Sequence, residues 1–151
     1  MKKLARILLV DDNPNDAEMA LEAFAESNLA NEVVVVSDGQ EALDYLLREG
    51  AFAERTPGNP AVILLDLKLP KIDGKEVLRR IRANEKLKLV PVVIMTSSRE
   101  ELDIAEGYQL GVNAYVVKPV DFPSFVEAVK NLGMFWAAIN QPPPGSVGGS
   151  I

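Results

Sequence analysis

The sequence predicts an open α/β fold in which helices cover both faces of a parallel sheet. Five short runs of Val, Ile and Leu recur along the chain, and segments of helical periodicity separate them. The runs are apolar at successive positions, which is typical of strands buried on both faces in a parallel sheet. Repeated alternation of strand and helix indicates right-handed crossovers. The predicted strands are 5–10, 33–36, 61–65, 90–95 and 114–117.

Helices are predicted where apolar residues recur three or four positions apart. The first begins at Pro14, with Asn13 as the N-cap in front of it. The fourth opens with a capping box from Ser98 to Glu101, and the fifth starts near Pro123. The apolar stripes of the first three helices are Ala17, Ala20, Leu21 and Phe24; Ala42, Leu43, Leu46 and Leu47; and Val77, Leu78 and Ile81.

Length and charge indicate one domain and limit its partners. The chain has 151 residues and a net charge of −6. We assign residues 1–140 to the domain and 141–151, which are rich in Pro, Gly and Ser, to an extended tail. The acidic balance argues against nucleic acid as a partner. No apolar run approaches the roughly 20 residues of a membrane span, so we expect no membrane segment and a cytoplasmic protein.

Two residue types that the chain lacks restrict its chemistry. The chain has no cysteine, which excludes disulfides, thiolate nucleophiles and cysteine-ligated metals. It also has no histidine, which excludes Ser-His-Asp catalysis, the usual zinc sites and a phosphohistidine carried by this chain. Any reaction must therefore use carboxylates, hydroxyls, lysine or the backbone.

Polar residues follow the predicted strands at their carboxyl ends. Asp11 and Asp12 follow the first strand, and Asp66 follows the third. Thr96 ends the fourth strand, and Lys118 comes after the fifth. A single aspartate in such a place is usually a helix cap or a turn residue. Together, these residues occupy the edge at which open α/β sheets bind ligands.

The three aspartates predict a cation site. Neighbouring strands lie about 4.8 Å apart, and two carboxylates about 4 Å apart repel by roughly 4 kcal/mol at an effective dielectric constant near 20. Three aspartates and Lys118 sum to −2, which a divalent ion would neutralise. Because all the ligands are hard oxygens, Mg²⁺ is the expected ion. With Thr96 and Lys118 added, the set suits phosphoryl transfer to a carboxylate nucleophile.

Four stretches of the sequence carry a family resemblance. "ILLVDD", "ILLDLKLPKIDG", "VVIMTSS" and "AYVVKP" stand in this order at the ends of four predicted strands. Together they strongly resemble the receiver domain of two-component response regulators, over about residues 4–135. The resemblance implies the flavodoxin-like receiver fold, with five parallel strands in the order 2-1-3-4-5.

The resemblance also implies a role for each residue of the acidic site. Asp66 would be the phosphoacceptor. Asp12 would bind Mg²⁺ directly, Asp11 would help through water, and the backbone carbonyl of Lys68 would be a further ligand. Lys118 would pair with the phosphoryl group.

Three further expectations follow from the same resemblance. Thr96 would be the switch hydroxyl that moves toward the phosphoryl group. Tyr115 would change rotamer with it; taken alone, such a tyrosine is more often an ordinary aromatic residue at the sheet edge, but this context favours the switch role. The bond between Lys118 and Pro119 would be cis, which aims the lysine.

The partners follow from the missing histidine and from the short C-terminal region. The phosphoryl donor would be a histidine of a separate sensor kinase or phosphotransfer protein. Loop 51–60 and the ending "MFWAAINQPPP" resemble small response regulators paired with bacterial phytochromes. The output would be a changed protein-binding surface, because too few residues follow for a DNA-binding domain. A second apolar stripe on the fifth helix favours a homodimer through strand five and helix five. The alternative is that the Pro-rich tail of the same chain covers this stripe.

Two other functions remain possible at this point. One is a constitutive protein-binding module that keeps the fold without phosphorylation. The other is a Mg²⁺-dependent phosphohydrolase of the haloacid-dehalogenase type, which carries an Asp-x-Asp pair after its first strand. Against the second, the first strand here ends in adjacent aspartates, and "DLK" has no second acid after Asp66.

Overall fold

The computed structural model describes residues 4–27, 30–96 and 114–118, together with Pro123. These residues contain a five-stranded parallel sheet in the order β2-β1-β3-β4-β5. This confirms the predicted fold class and strand order. The strands are β1 (Leu4–Val10), β2 (Ala30–Val36), β3 (Val62–Asp66), β4 (Val92–Thr96) and β5 (Ala114–Val117).

Three α-helices connect the strands within the described residues. They are α1 (Pro14–Ser27), α2 (Gly39–Leu47) and α3 (Gly74–Ala83), and a 3-10 turn follows α2 at Gly50–Phe52. Asp38 and Asp73 cap α2 and α3, because each carboxylate accepts the N–H of the residue three positions later. No helix of the described segments is long and apolar enough to cross a membrane. The predicted fourth and fifth helices and the tail lie outside the described residues.

The central strands form the core. All five residues of β3 are buried, and successive side chains point to opposite faces of the sheet. One face packs against α2 and α3 in a single apolar cluster that contains Leu8, Ile63 and Ile94. Ile7, on the alternate face of β1, is also fully buried. Because these strands are packed on both sides, the residues that follow them are held in fixed places.

The predicted apolar stripes were wrong at two positions. Leu21 is 36% exposed and Leu47 is 41% exposed, whereas Tyr45 is only 3% exposed. Tyr45 lies three residues after Ala42, on the buried face of α2, and its hydroxyl accepts a hydrogen bond from Arg6 Nη1 at 3.0 Å. A buried tyrosine needs such a polar partner, and the apolar periodicity of α2 did not reveal one.

Two strands begin two or three residues from their predicted starts, whereas β1 and β3 begin one residue away, at Leu4 and Val62. β2 starts at Ala30 instead of residue 33, because it is an edge strand where a polar residue such as Glu32 is tolerated. Glu32 accepts a hydrogen bond from Arg6 Nε at 2.8 Å. β4 starts at Val92 instead of residue 90, because Pro91 has no N–H to donate to the ladder.

Loop 51–60 is held at the amino edge of the sheet by Arg55. Its guanidinium donates to the carbonyl oxygens of Tyr45 (2.7 Å), Thr56 (2.7 Å) and Gly58 (3.0 Å). It also stacks over the Tyr45 ring, 4.1 Å from the ring centre. We refer to Arg6, Tyr45 and Arg55 as the amino-edge clamp. The contacts of the clamp explain why loop 51–60 has a fixed conformation.

Candidate functional site

Asp11 and Asp12 occupy the turn between β1 and α1. The Asp11 side chain is buried, and its Oδ1 accepts the N–H of Asn13 at 3.0 Å, while Asp12 is exposed. Asn13 Oδ1 in turn accepts the N–H groups of Asn15 (2.9 Å) and Asp16 (3.2 Å). Asn13 is therefore the N-cap of α1, as predicted, and it fixes the first turn of the helix beside the two aspartates.

Asp66 is the last residue of β3 and is 5% exposed. Its Oδ1 accepts the N–H of Lys68 at 3.1 Å. The start of α3 packs directly on its backbone, because a Cβ atom at Gly74 would overlap the Asp66 carbonyl oxygen. The loop after β3 is also pressed against α2, where a Cβ atom at Gly39 would overlap the Ile72 carbonyl oxygen. These two close approaches fix the loop that carries Asp66 and Lys68.

Lys118 joins the aspartates from the other side of the site. Its Nζ lies 2.7 Å from Asp66 Oδ2 and 3.2 Å from both carboxylate oxygens of Asp11. It also lies 3.2 Å from Asp16 Oδ2. The structure thus brings together Asp11, Asp66 and Lys118, which the sequence analysis proposed, and adds Asp16, which it missed.

Asp16 had only a weak signal in the sequence. It lies in the first turn of α1, where an acidic residue is already explained by the helix dipole. Its partner, Lys118, follows a strand at the far end of the chain. The signal that could have identified Asp16 is its place in the helix that begins directly after Asp12, at the same edge of the sheet.

The site carries more negative charge than the sequence analysis expected. Asp11, Asp12, Asp16 and Asp66 contribute −4 and Lys118 contributes +1, which gives −3 instead of −2. Burial raises the pKa of Asp11, and the hydrogen bonds from Asn13 and Lys118 offset this only in part. Burial alone would lower the pKa of Lys118, but the hydrogen bond and charge of Asp66 and then the charge of Asp11 outweigh it and raise that pKa.

Three of the carboxylates suit a divalent cation. One oxygen each of Asp11, Asp12 and Asp66 can be chosen so that all lie within 4.8 Å of one another. Two ligands of one Mg²⁺ ion lie about 3 to 4.2 Å apart, so a small closure of these side chains would give a Mg²⁺ site. The donors are hard oxygens, as this ion requires. The carbonyl of Lys68 stays a predicted further ligand.

The remaining predicted site residues are only partly described. Thr96 is the last residue of β4 and pairs with Val117, so its backbone ends at the same edge as Asp66. Tyr115 lies in β5 beside Ile94. The side chains of Thr96 and Tyr115 lie outside the described residues, and so does Pro119 with the predicted cis bond. Their roles stay predictions.

Solved structures similar to this chain include two bacteriophytochrome response regulators. The bacteriophytochrome response regulator RtBRR is 59% identical, with a TM-score of 0.82, over 95% of this chain and 86% of RtBRR. The bacteriophytochrome response regulator AtBRR is 55% identical, with a TM-score of 0.83, over 92% of this chain and 99% of AtBRR.

A curated relative agrees with these structures. The response regulator Rcp1 of Synechocystis sp. is 38% identical over 130 residues, which are 86% of this chain and 87% of Rcp1. A solved Mn²⁺-bound form of Rcp1 is 36% identical, with a TM-score of 0.70, over 87% of this chain and 94% of that one. Residues 7–130 match the family described as response regulator receiver domain. The chain belongs to this family of two-component signalling proteins.

Proposed function

We propose that this protein accepts a phosphoryl group on Asp66 and signals through a changed protein-binding surface. One observation carries the proposal: the carboxylate of Asp66 is almost fully buried and lies 2.7 Å from the ammonium group of Lys118, beside Asp11 and Asp12. A buried carboxylate held between a cation and a set of metal-binding oxygens can act as an activated nucleophile. Membership in the receiver family supports this function.

The proposed reaction transfers phosphorus from nitrogen to oxygen. One carboxylate oxygen of Asp66 attacks the phosphorus of a phosphohistidine, and a P–O bond forms as the P–N bond breaks. The electron pair of the broken bond stays on the imidazole nitrogen, which takes up a proton. The products are an acyl phosphate on Asp66 and a free histidine. Lys118 stabilises the charge on the phosphoryl oxygens during the transfer.

We propose Mg²⁺ as the cofactor of this step. Asp11, Asp12 and Asp66, with the backbone carbonyl of Lys68, would hold the ion. When bound, it would supply positive charge against the excess negative charge of the carboxylates and the phosphoryl oxygens. The Mn²⁺-bound form of Rcp1 supports a divalent cation in a protein of this family.

The proposed donor histidine lies outside these 151 residues, which contain no histidine. We propose a sensor histidine kinase or a histidine phosphotransfer protein as the donor. The names of RtBRR and AtBRR favour a bacteriophytochrome as that kinase. The protein itself is then a signalling protein that catalyses only its own phosphorylation.

The proposed output is a binding surface formed by the fourth helix, β5 and the fifth helix. Movement of Thr96 toward the phosphoryl group, with the accompanying change of rotamer at Tyr115, would change this surface. We also propose a homodimer through β5 and the fifth helix, with residues 1–140 as the receiver domain and 141–151 as a tail. Sedimentation at micromolar concentration tests the dimer, and a monomer with and without a phosphoryl analogue would exclude it.

Covalent labelling tests the central step. The full chain is incubated with phosphoramidate, with Mg²⁺ or with excess chelator, and its intact mass is measured. We expect one added phosphate with Mg²⁺ and none with chelator. Asp66→Asn should remove the label. The matched control is Asp73→Asn, which keeps a good N-cap at α3 and should be labelled like the wild type.

The two alternative functions predict different results. A constitutive binding module would bind its kinase equally well with and without beryllofluoride, and Asp66→Asn would not alter that affinity. A phosphohydrolase would turn over a generic phosphate ester many times with Mg²⁺. An unlabelled wild-type protein, or full labelling of Asp66→Asn, would refute phosphoryl acceptance on Asp66.

A further inference from the structure

Asp16 contacts Lys118 but stands apart from the metal-binding group. Its Oδ2 lies 3.2 Å from Lys118 Nζ, and its own N–H donates to Asn13 Oδ1, which fixes it in the first turn of α1. The carboxylates grouped for a cation are those of Asp11, Asp12 and Asp66. Asp16 is not one of these three residues, and its carboxylate contacts Lys118.

Three carboxylates share the ammonium group of Lys118. An ammonium group has three N–H donors and no acceptor, and Asp66, Asp11 and Asp16 lie within 2.7 to 3.2 Å of its nitrogen. The separation of Asp16 Oδ2 and Asp66 Oδ2 cannot exceed the sum of their two distances to Nζ. A phosphoryl group on Asp66 would thus need the same lysine that Asp16 holds, and it would arrive close to the Asp16 charge.

We propose that Asp16 is a positioning residue that competes with the phosphoryl group for Lys118 and so weakens the binding of anions at Asp66. The inference rests on the proposed function of Asp66 as phosphoacceptor. In the unphosphorylated protein the carboxylate of Asp16 pairs with Lys118. Lys118 must leave this carboxylate before it can pair with the phosphoryl oxygens. The residue therefore shifts the switch toward the unphosphorylated state.

Neutralising Asp16 tests this competition. Asp16→Asn keeps the size of the side chain and suits the first turn of a helix, but it removes the charged partner of Lys118. Beryllofluoride, which mimics the phosphoryl group, is titrated at saturating Mg²⁺ into the full chain, and the bound form is measured by fluorine NMR. We expect Asp16→Asn to bind it about tenfold more tightly, within the range of couplings between contacting charged residues.

Two control variants test whether the effect comes from the contact between Asp16 and Lys118 or only from the change in net charge. Glu18→Gln changes an exposed carboxylate of the same helix and should leave the affinity within about twofold of the wild type. Asp16→Glu keeps the charge and should also remain near the wild type. A tenfold gain in Glu18→Gln would show a general charge effect and overturn the proposal.

The ammonium resonance of Lys118 gives a second readout, assigned by its loss in Lys118→Met. We expect Asp16→Asn to shift this resonance in the free protein, and Glu18→Gln to leave it in place. If Asp16→Asn binds beryllofluoride more tightly but the Lys118 resonance does not shift, Asp16 acts by direct repulsion of the anion. That result would overturn the role of the lysine. Unchanged or weaker binding by Asp16→Asn would overturn the inference alone, whereas a wild-type protein that binds no beryllofluoride would refute the proposed function as well.

Discussion

At the carboxyl edge of the sheet one ammonium group contacts three carboxylates, whereas at the amino edge the guanidinium groups of Arg55 and Arg82 donate to backbone carbonyls. Lys118 is shared by Asp11, Asp16 and Asp66. Arg55 donates to three carbonyl oxygens of loop 51–60 and its neighbours, and Arg82 donates to two carbonyl oxygens of the segment before β4. Both edges therefore contain partly buried charges, but their partners differ.

The arginines at the amino edge have partners that explain them structurally, whereas the charges of the candidate site do not balance one another. Burial lowers the pKa values of Arg55 and Arg82, yet an arginine stays charged at neutral pH, and neutral carbonyl dipoles satisfy its donors. These arginines leave the amino edge with excess positive charge, because carbonyl oxygens accept from their donors without cancelling the charge. The carboxyl edge keeps a charge of −3 around one lysine, and burial raises the pKa of Asp11. Such an excess of negative charge suits a cation.

The largest effect is expected from Gly74→Ala at the carboxyl edge. A Cβ atom there would overlap the Asp66 carbonyl oxygen, so the start of α3 or the end of β3 must move. We expect the free energy of unfolding to fall by more than about 2 kcal/mol, and phosphorylation of Asp66 to slow. Urea denaturation and the rate of mass labelling measure the two effects. The control Lys75→Ala changes an exposed neighbour and should shift stability by less than about 0.5 kcal/mol. Wild-type values in Gly74→Ala would contradict the close packing.

A smaller loss is expected from Arg55→Ala at the amino edge. The change removes three hydrogen bonds and the stacking on Tyr45, and we expect a loss of about 2 kcal/mol in the free energy of unfolding. The labelling rate of Asp66 should stay unchanged, because the clamp lies at the opposite edge. Arg80→Ala, which removes an exposed pair with Glu76, should cost less than about 0.5 kcal/mol. Slower labelling of folded Arg55→Ala would show that the two edges are coupled.

The smallest effect, of opposite sign, is expected from Asp11→Asn. Because the pKa of Asp11 is raised from its ordinary value of 3.8, the folded wild type loses stability as the pH rises from that value through the raised pKa. Without Mg²⁺ at neutral pH, Asp11→Asn should therefore be slightly more stable than the wild type, and the gain should vanish in acid. Thermal unfolding with and without Mg²⁺ measures this.

Asp12→Asn is the matched control for Asp11→Asn. Asp12 is exposed, so its neutralisation should change stability little without Mg²⁺. Both variants should lose the stabilisation that Mg²⁺ gives the wild type. Destabilisation of Asp11→Asn in metal-free buffer would show that its pair with Lys118 outweighs the cost of its burial.

Several features that depend on a local sequence pattern were predicted correctly. Runs of Val, Ile and Leu predicted the five strands, and the end of each strand placed Asp11, Asp66 and Lys118 at one edge. Asn13 was predicted as a cap because its neighbours alone determine that role.

Contacts between distant segments could not be predicted in the same way. Asp16 meets Lys118 across more than a hundred residues, and its position in a first helical turn had an ordinary explanation. Tyr45 is buried where Leu47 was expected, and Arg6 from β1 and Arg55 from a loop both contact it. Such polar contacts depend on the final packing, to which hydrophobic periodicity is blind.

The most direct test of the account is to locate the phosphoryl group chemically. The protein is labelled with phosphoramidate and Mg²⁺, reduced with borohydride, which converts an aspartyl phosphate to homoserine, and digested with trypsin. The peptide 56–68 contains Asp66 as its single acidic side chain, so its mass reports on this residue alone. We predict homoserine at position 66 and no conversion of the peptide that carries Asp11, Asp12 and Asp16. Homoserine in that other peptide, or an unmodified peptide 56–68 from a labelled protein, would contradict the account.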